Sequence, residues 1–476
     1  MPITWTGLAP ELLVEVDRSA PRALRTQLEE RLREAIRSGR LEPGERLPSS
    51  RELARALGVS RGLVTECYQQ LNSEGYLQSE VGSATRVASS VSTTAASRPP
   101  LTTLTAGLTG AAPRLEVDFV AGLPDLASFP GTDWLWAQRE ALREAPAATV
   151  GYGDPAGTEE LRSVLASYLR RVRAADVGTR QVVVCGGFAQ GLSLLLGALA
   201  DRGVRRVAFE DPGYDRSIEE TARLGHVTAV PVRVDDSGID VEAVAAADVQ
   251  AVVVTPAHQW PTGTVLAPER RRQLVAWARD TGAVLAEDDY DAEFRYDREP
   301  VGSLQGLAPD RVVTIGTVSK SLAPALRLGW LLCPDWLVET VTKHKLVADR
   351  GTPVVDQLAL AHLMRSGRFD RHLRRMRAVY RKRRDTLASG LAQVAPQVRL
   401  SGLAAGFHAV AHLPEGVEET TVVRAARQRG VGLHGMSQHR ASGATTPTQL
   451  VIGFGNISDR AIRHGLLTVA DLLQAR

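Results

Sequence analysis

"VVTIGTVSKSLAPALRLGWLLCP", residues 312–334, joins two apolar runs through a polar loop that carries one lysine. Of the 57 Lys and Arg residues, only Lys320, Lys343, Lys345 and Lys382 are lysine. Arginine supplies positive charge everywhere else. A surface cation at position 320 has no need of lysine. A residue that must shed its proton and attack a carbonyl does, because guanidinium stays charged and makes no Schiff base. Scarcity alone leaves a solvated loop lysine open, so the rest of the chain has to decide.

Similar apolar runs recur: "QVVVC" (181–185), "RRVAFED" (205–211), "AVVVTP" (251–256), "AVLAEDD" (283–289), "RVVTIGT" (311–317) and "RLGWLLC" (327–333). Helical spacers such as "PERRRQLVAWARDTG" (268–282) separate several of them. Short, near-continuous apolar strands alternating with helices predict an α/β domain whose mainly parallel sheet is buried on both faces. In such sheets ligands bind where the strands end.

Polar residues gather at those ends. In "CGGFAQGLSLLLGAL", Gly186 and Gly187 permit close backbone approach, and the N–H groups of Phe188 and Ala189 open a helix able to cradle a phosphate. "EDPGYDR" sets Tyr214 where it can stack on a planar ring, with Arg216 two residues on. "TPAHQWPTG" carries His258 and Gln259, to which no chemistry is assigned. "AEDDYDAEFRY" ends a strand with Asp288, which needs a positive partner if buried, and follows it with Tyr290. Thr317, Ser319 and Arg327 surround Lys320. Pyridoxal phosphate asks for a carboxylate at its ring nitrogen, a ring stacker, a phosphate cup and a lysine. The conjunction of these residues meets all four needs.

Residues 88–114, "ASSVSTTAASRPPLTTLTAGLTGAAPR", hold no acid and no periodic apolar pattern, and read as a flexible linker. The expected organisation is a head at 11–87, the linker at 88–114, and a large domain at 115–476. In the head, Leu24, Leu28, Leu32 and Ile36 recur every four residues. Ser49 and Glu52 form a capping box, Gly58 ends that helix and Ser60 caps the next. "YLQSEVGSATRVA" closes as two short strands around Gly82. Helix, tight turn, helix and hairpin predict a winged helix-turn-helix. Residues 1–88 carry twelve arginines and twelve acids, so the DNA expectation rests on placement. Arg46, Arg51, Arg55 and Arg61 cluster around the second and third helices, and Ser60 and Arg61 occupy a first turn that favours phosphate.

The stretch "LPSSRELARALGVSRGLVTECYQQLNSEGYLQSEVGSATRV" (47–87) resembles the GntR family of bacterial transcription regulators. That resemblance implies Arg51 and Arg61 as base readers beside Arg46, backbone contacts from Ser50, Ser60 and Thr65, and Gly82 at the wing tip. The family wing usually reads Gly-x-Gly-Thr, and Ala84 departs from it. The large domain, through "VDFVAGLPDLASFP", "YGDPAGTEELR", "EDPGY", "HQWPTG", "EDDYDAEFRY" and "SKSLAPALRLGW", resembles fold-type I aminotransferases with a small C-terminal α+β lobe. The fusion resembles the MocR subfamily, whose members include regulators of GABA use and of vitamin B6 synthesis.

The resemblance implies Lys320 as the Schiff-base lysine and Asp288 as partner of the ring nitrogen. It gives Tyr290 the ring hydroxyl, Arg327 the phosphate with Gly187, Phe188, Ala189, Thr317 and Ser319, and Tyr152 the partner's phosphate across a head-to-tail homodimer. Two features depart from aminotransferases. The 185–188 loop lacks hydroxyls, and "LVIGFGNIS" (450–458) lacks the arginine that clamps an α-carboxylate. Arg216 is the substitute clamp for an effector, or else pairs locally with Asp215 or Glu219.

The expected function is a pyridoxal phosphate-dependent regulator of double-stranded operator DNA, sensing the cofactor itself or a small amino compound; the alternative is a working aminotransferase with an accessory DNA-binding domain. The basic helix "RHLRRMRAVYRKRRDTL" (371–387) faces DNA, the partner's head or solvent. Three scattered cysteines (Cys67, Cys185, Cys333) argue against a disulfide scaffold or a zinc site, and no metal is expected. With 44% hydrophobic and 23% charged residues, net charge +3, no leader pattern and no membrane-length apolar run, a cytoplasmic protein without membrane contacts is expected.

Overall fold

The computed structural model describes residues 16–78, 84–88, 115–214, 217–296 and 302–474. The chain divides into two compact units, Met1–Ala112 and Pro113–Arg476.

In the first unit, helices α1 (Leu24–Arg37), α2 (Ser50–Leu57) and α3 (Arg61–Ser73) precede strands β1 (Leu77–Gln78) and β2 (Arg86–Val87). The local signals act as capping chemistry predicts. Ser49 Oγ accepts from the Glu52 N–H while the Glu52 carboxylate accepts from the Ser49 N–H, and Ser60 Oγ accepts from the Leu63 N–H. Gly58 ends α2 at φ +63°, a left-handed conformation that glycine adopts without penalty. Leu28, Leu32, Ile36, Val64, Cys67 and Leu71 form a buried core with Leu53 and Leu77. The Tyr68 hydroxyl ties α3 to the Pro48 carbonyl at 3.0 Å. β1 and β2 pair antiparallel, Leu77 opposite Val87. The wing tip at Gly82 lies outside the described residues, as does residue 216.

The second unit is built on an eight-stranded sheet. In chain order its strands are β4 (Val182–Cys185), β5 (Arg206–Asp211), β6 (Thr228–Asp235), β7 (Gly238–Ile239), β8 (Ala251–Val254), β9 (Val284–Asp289), β10 (Val312–Thr317) and β11 (Gly329–Leu332). In space they run β4-β11-β10-β9-β8-β5-β6-β7, after β3 (Val117–Asp118) has formed a separate pairing. Alternate side chains enter cores on opposite faces: Val183, Val313 and Ile315 one way, Val182, Val184 and Val312 the other. This explains why the strands read as uninterrupted apolar runs. β6 escapes that pattern because only Val232 of its eight residues is buried and it carries Pro231.

β11 runs antiparallel to both β10 and β4. Residues 318–328 are too few for a helical crossover, which takes a dozen residues or more. The chain therefore doubles back across the end of the sheet, and Lys320 stands in that return. A four-stranded antiparallel sheet forms the C-terminal lobe from β12 (Arg399–Ser401), β13 (His408–His412), β15 (His434–Gly435) and β16 (Gln449–Gly453), while β14 (Val431–Gly432) pairs with β3. Among the described residues no helix is long and apolar enough to cross a membrane.

Arg173 and Asp289 form a buried bidentate ion pair at 2.7 Å beneath the sheet end. Arg173→Met strands the Asp289 charge and is expected to destabilise the large unit by about 3–5 kcal/mol, read as a fall in its urea midpoint. An unchanged midpoint would contradict this.

Candidate ligand site at the ends of the parallel strands

A cavity of about 550 Å³ opens at the ends of β4, β9 and β10, and Lys320, Asp288, Tyr214, Tyr290, Thr317, Ser319, Arg327, Phe188 and Ala189 all line it. These residues come from five separate places in the chain. Strand ends supply Asp288 and Thr317, and the β10–β11 return supplies Ser319, Lys320 and Arg327. The first turn of α4 (Phe188–Asp201) supplies Phe188 and Ala189.

Lys320 differs from the other three lysines in its partner. Lys343 pairs with Glu339 at 2.7 Å, Lys345 with Asp349 at 2.6 Å and Lys382 with Asp459 at 2.8 Å. Lys320 Nζ instead donates to the Gly122 carbonyl at 2.6 Å. Burial holds its pKa below the usual lysine value, opposed by the negative charges of Asp288 and Asp291. An amine so placed sheds its proton more readily, as a nucleophile requires.

Asp288 is buried, and Tyr214 donates its hydroxyl to Oδ2. Oδ1 is buried without a hydrogen-bond partner among the described residues. Burial pushes this carboxyl up to about 8, against the pull of the Tyr214 hydrogen bond and of Lys320. A carboxylate oxygen in that state calls for a cationic donor. A protonated pyridine nitrogen is one.

The third component is an anion cup. Gly187 precedes α4 at φ +91°, and a β-carbon there would stand 3.2 Å from Arg327 Nη2 and 3.5 Å from Thr317 Oγ1. Only a bare α-carbon brings the helix N-terminus this close to both donors. The Arg327 Nη2 group donates to the Gly186 carbonyl at 2.5 Å, and Thr317 Oγ1 lies 2.8 Å from Ser319 Oγ. The hydroxyls missing from the 185–188 loop are thus supplied from across the sheet.

Two aromatic groups of the cavity are held by contacts within the chain. Tyr214 stacks its ring on Phe188, with centroids 5.0 Å apart and 19° between planes, and spends its hydroxyl on Asp288. Tyr290 donates to the His258 carbonyl at 3.0 Å. His258, left without a role by the sequence, is buried with Nδ1 2.7 Å from Asp291 Oδ2. Its ring, Asp291 and His408 bring their ligand atoms within 4.8 Å of one another. The Gly406 backbone packs so tightly there that a β-carbon would sit 2.4 Å from Asp291 Oδ2, and the direct His258–Asp291 hydrogen bond fills the space. The group braces the floor under Tyr290.

Gly122 and Trp260 also line the cavity and were not singled out in the sequence. Gly122 acts through its carbonyl, which no motif advertises, and Trp260 through its position beside His258. Tyr152 lies away from this cavity and is 81% exposed. Arg216 and Gly82 lie outside the described residues. In the head, Arg46, Arg51, Ser60 and Arg61 are exposed, and Ser50 and Thr65 are half-buried. The Arg61 carbonyl accepts from the Thr65 hydroxyl at 2.9 Å, and both guanidinium groups, Arg51 and Arg61, are on exposed residues.

Residues 119–449 match the family model of aminotransferase class I and II, and residues 24–87 match that of bacterial regulatory proteins, gntR family. The chain is 33% identical over 463 residues to the HTH-type pyridoxine biosynthesis transcriptional regulator PdxR of Corynebacterium glutamicum, covering 97% of this chain and 98% of the other. The chain belongs to the gntR-family regulators that carry an aminotransferase class I and II domain. The probable rhizopine catabolism regulatory protein MocR of Rhizobium meliloti is 31% identical over 473 residues, covering 95% of this chain and 94% of that one. An archaeal alanine:glyoxylate aminotransferase superposes with a TM-score of 0.70 at 23% identity, over 78% of this chain and 93% of that one. The alpha-aminoadipate aminotransferase LysN of Thermus thermophilus does so at 0.67 and 23%, over 78% and 98%. These likenesses establish the fold of the large unit.

The Asp288 carboxyl makes a signed prediction for the ligand-free protein. Its folded-state value of about 8 exceeds the ordinary 3.8, so the folded chain keeps a proton that the unfolded chain releases. The stability this group contributes is present below the ordinary value and is lost as pH rises through the folded one. Asp288→Asn is expected to flatten the urea midpoint across that window and to exceed the parent chain at its upper end. A parent profile already as flat as the variant's would contradict the assignment.

Proposed function

We propose that this chain is a DNA-binding transcription regulator that takes up pyridoxal phosphate in its large unit and converts occupancy of that site into a change in operator binding. The observation that carries the reading is the convergence of the Lys320 amine, the Asp288 oxygen that meets no partner among the described residues and the Gly187–Thr317–Arg327 cup on one cavity. When bound, pyridoxal phosphate supplies an aldehyde that takes primary amines and an electron-poor ring. Lys320 offers the amine, and Asp288 faces the ring nitrogen. Tyr290 serves the ring hydroxyl, Tyr214 covers the ring, and the N–H groups of Phe188 and Ala189 join Thr317, Ser319 and Arg327 on the phosphate.

Two observations favour a sensor over a catalyst. Arg327 is the one arginine lining the cavity among the described residues, and the phosphate claims it. At Gly453 and Gly455 a β-carbon would meet the Val120 and Leu123 carbonyl oxygens at 2.0 and 2.2 Å, so this wall carries backbone and no cation. Among the described residues an amino-acid substrate meets no bidentate clamp to orient it for proton removal at Cα. Arg216 is the residue we assign to an effector carboxylate. The effector, whether the cofactor or an amino compound that displaces Lys320, shifts the regulator only by its different affinity for two poses.

The apolar surface around Tyr152 supports a homodimer. Val150 is 67% exposed, Tyr152 81% and Val347 87%. The Tyr152 carbonyl lies 3.6 Å from where a Gly351 β-carbon would stand, which brings the segment that follows Val347 beside Tyr152. A soluble chain covers such a patch with a partner. Tyr152 then reaches the partner's phosphate cup in a head-to-tail arrangement.

Two variants test the halves of this reading separately. Lys320→Ala is expected to abolish the visible absorbance of the cofactor-loaded protein and its borohydride-reducible adduct; an adduct retained elsewhere overturns the assignment. Arg51→Ala is expected to keep the absorbance and lose at least about 1–3 kcal/mol of preference for selected over random DNA. Unaltered preference in a binding assay refutes its role as a base reader.

A further inference from the structure

The long helix α5 (Arg368–Val394) buries Phe369, Leu373, Met376, Tyr380 and Leu387 on one side. Its cations divide sharply. Arg368 pairs with Asp133, Lys382 with Asp459, Arg383 with Asp125 and Arg384 with Asp385. Arg377 donates twice to the Glu293 carbonyl. Arg371, Arg374, Arg375 and Arg381 are exposed, and no carboxylate among the described residues pairs with any of them. At 100° per residue these four fall on one face, and at about 1.5 Å per residue they span about 15 Å. Guanidinium groups so arranged, with no carboxylate among the described residues, repel one another unless an anion of repeating charge lies along them.

We infer that this arginine face is a second DNA-contact surface, which grips the phosphate backbone of duplex DNA. The inference rests on the DNA-binding reading of the head. Duplex DNA carries one charge per about 1.7 Å, so about 15 Å of helix faces roughly nine phosphates. Arginine is suited to phosphate by its fixed fork of donors. The unit at residues 1–88 balances twelve arginines with twelve acids and offers no comparable concentration of negative charge.

The face also reaches the ligand cavity. Arg375 donates to His372 Nδ1 at 3.0 Å, which leaves the Nε2 hydrogen to the Ser321 carbonyl at 3.0 Å, one residue from Lys320. Burial lowers the His372 pKa to about 4, so the ring stays neutral and this tautomer persists at ordinary pH. A change in the Lys320 return is thereby felt at the arginine face.

The test uses the full cofactor-loaded chain and a fluorescent random-sequence duplex of about 60 base pairs, titrated across a salt series. Arg375 is kept because it positions His372. The variant Arg371→Gln/Arg374→Gln/Arg381→Gln is expected to lower the slope of log K against log salt by about 0.9 per lost contact, roughly two to three in all. The preference for selected over random duplex is expected to stay as it was, and the matching triple Lys variant to keep the parent slope. Retained cofactor absorbance certifies the fold; if the triple variant loses it, Arg374→Gln alone should lower the slope by about 0.9. An unchanged slope in a folded variant overturns the inference, even if sedimentation then shows altered assembly. If the parent chain binds neither duplex, both this inference and the reading of the head fall.

Discussion

Asp288 is the last residue but one of a strand buried on both faces, and one of its oxygens meets no donor among the described residues. The surroundings show how exceptional that is. Glu287 takes the Ser303 and Thr314 hydroxyls and the Leu304 N–H, Asp289 takes Arg173, and Asp291 takes His258. Three of these four neighbouring acids are thus satisfied from within the chain. A buried charge that cannot be solvated must be paired or protonated. The large unit resolves this for Asp288 by leaving a cavity beside it, and Lys320, the anion cup and Tyr214 are disposed around that cavity. The ligand completes an electrostatic arrangement that the protein leaves unfinished.

Backbone geometry makes the arrangement possible. The β10–β11 return is short, so it presents Arg327 within a few ångströms of Gly187 and carries Ser319 and Lys320 to the same cavity. Residues 119–123 close the opposite wall, where the Gly453 N–H donates to the Phe119 carbonyl at 2.8 Å and the Gly122 carbonyl takes Lys320. Bare α-carbons at 453 and 455 permit this backbone-on-backbone contact. The same feature that holds Lys320 in place removes the site at which an arginine could clamp a substrate.

Much of this was legible in the chain. Ser49, Glu52, Gly58 and Ser60 announce the head because capping depends on residues only a few positions apart. The six apolar runs announce the sheet because both faces are buried. The cavity residues were legible as a set, since a carboxylate, a lysine and a glycine turn each stand at the end of a strand-like run. Other features were not. β6 buries only Val232 and carries no apolar signature. The reversal of β11 follows from loop length together with sheet order, and sheet order is not a local property. Gly122 contributes a carbonyl, which every residue owns. The Tyr214 hydroxyl reaches Asp288 across 74 positions.

Short-range chemistry alone determined where helices begin and end, which runs are strands, and which side chains are fit for carbonyl and phosphate chemistry. Tertiary structure decided which of those groups meet. It chose Lys320 over three other lysines by denying it a carboxylate, and it isolated Asp288 while pairing its neighbours. It also sorted the arginines of α5 into those that find acids and those that face outward. Pairing between distant groups depends on which strand lies beside which, and that is settled only when the whole sheet has closed on its two cores.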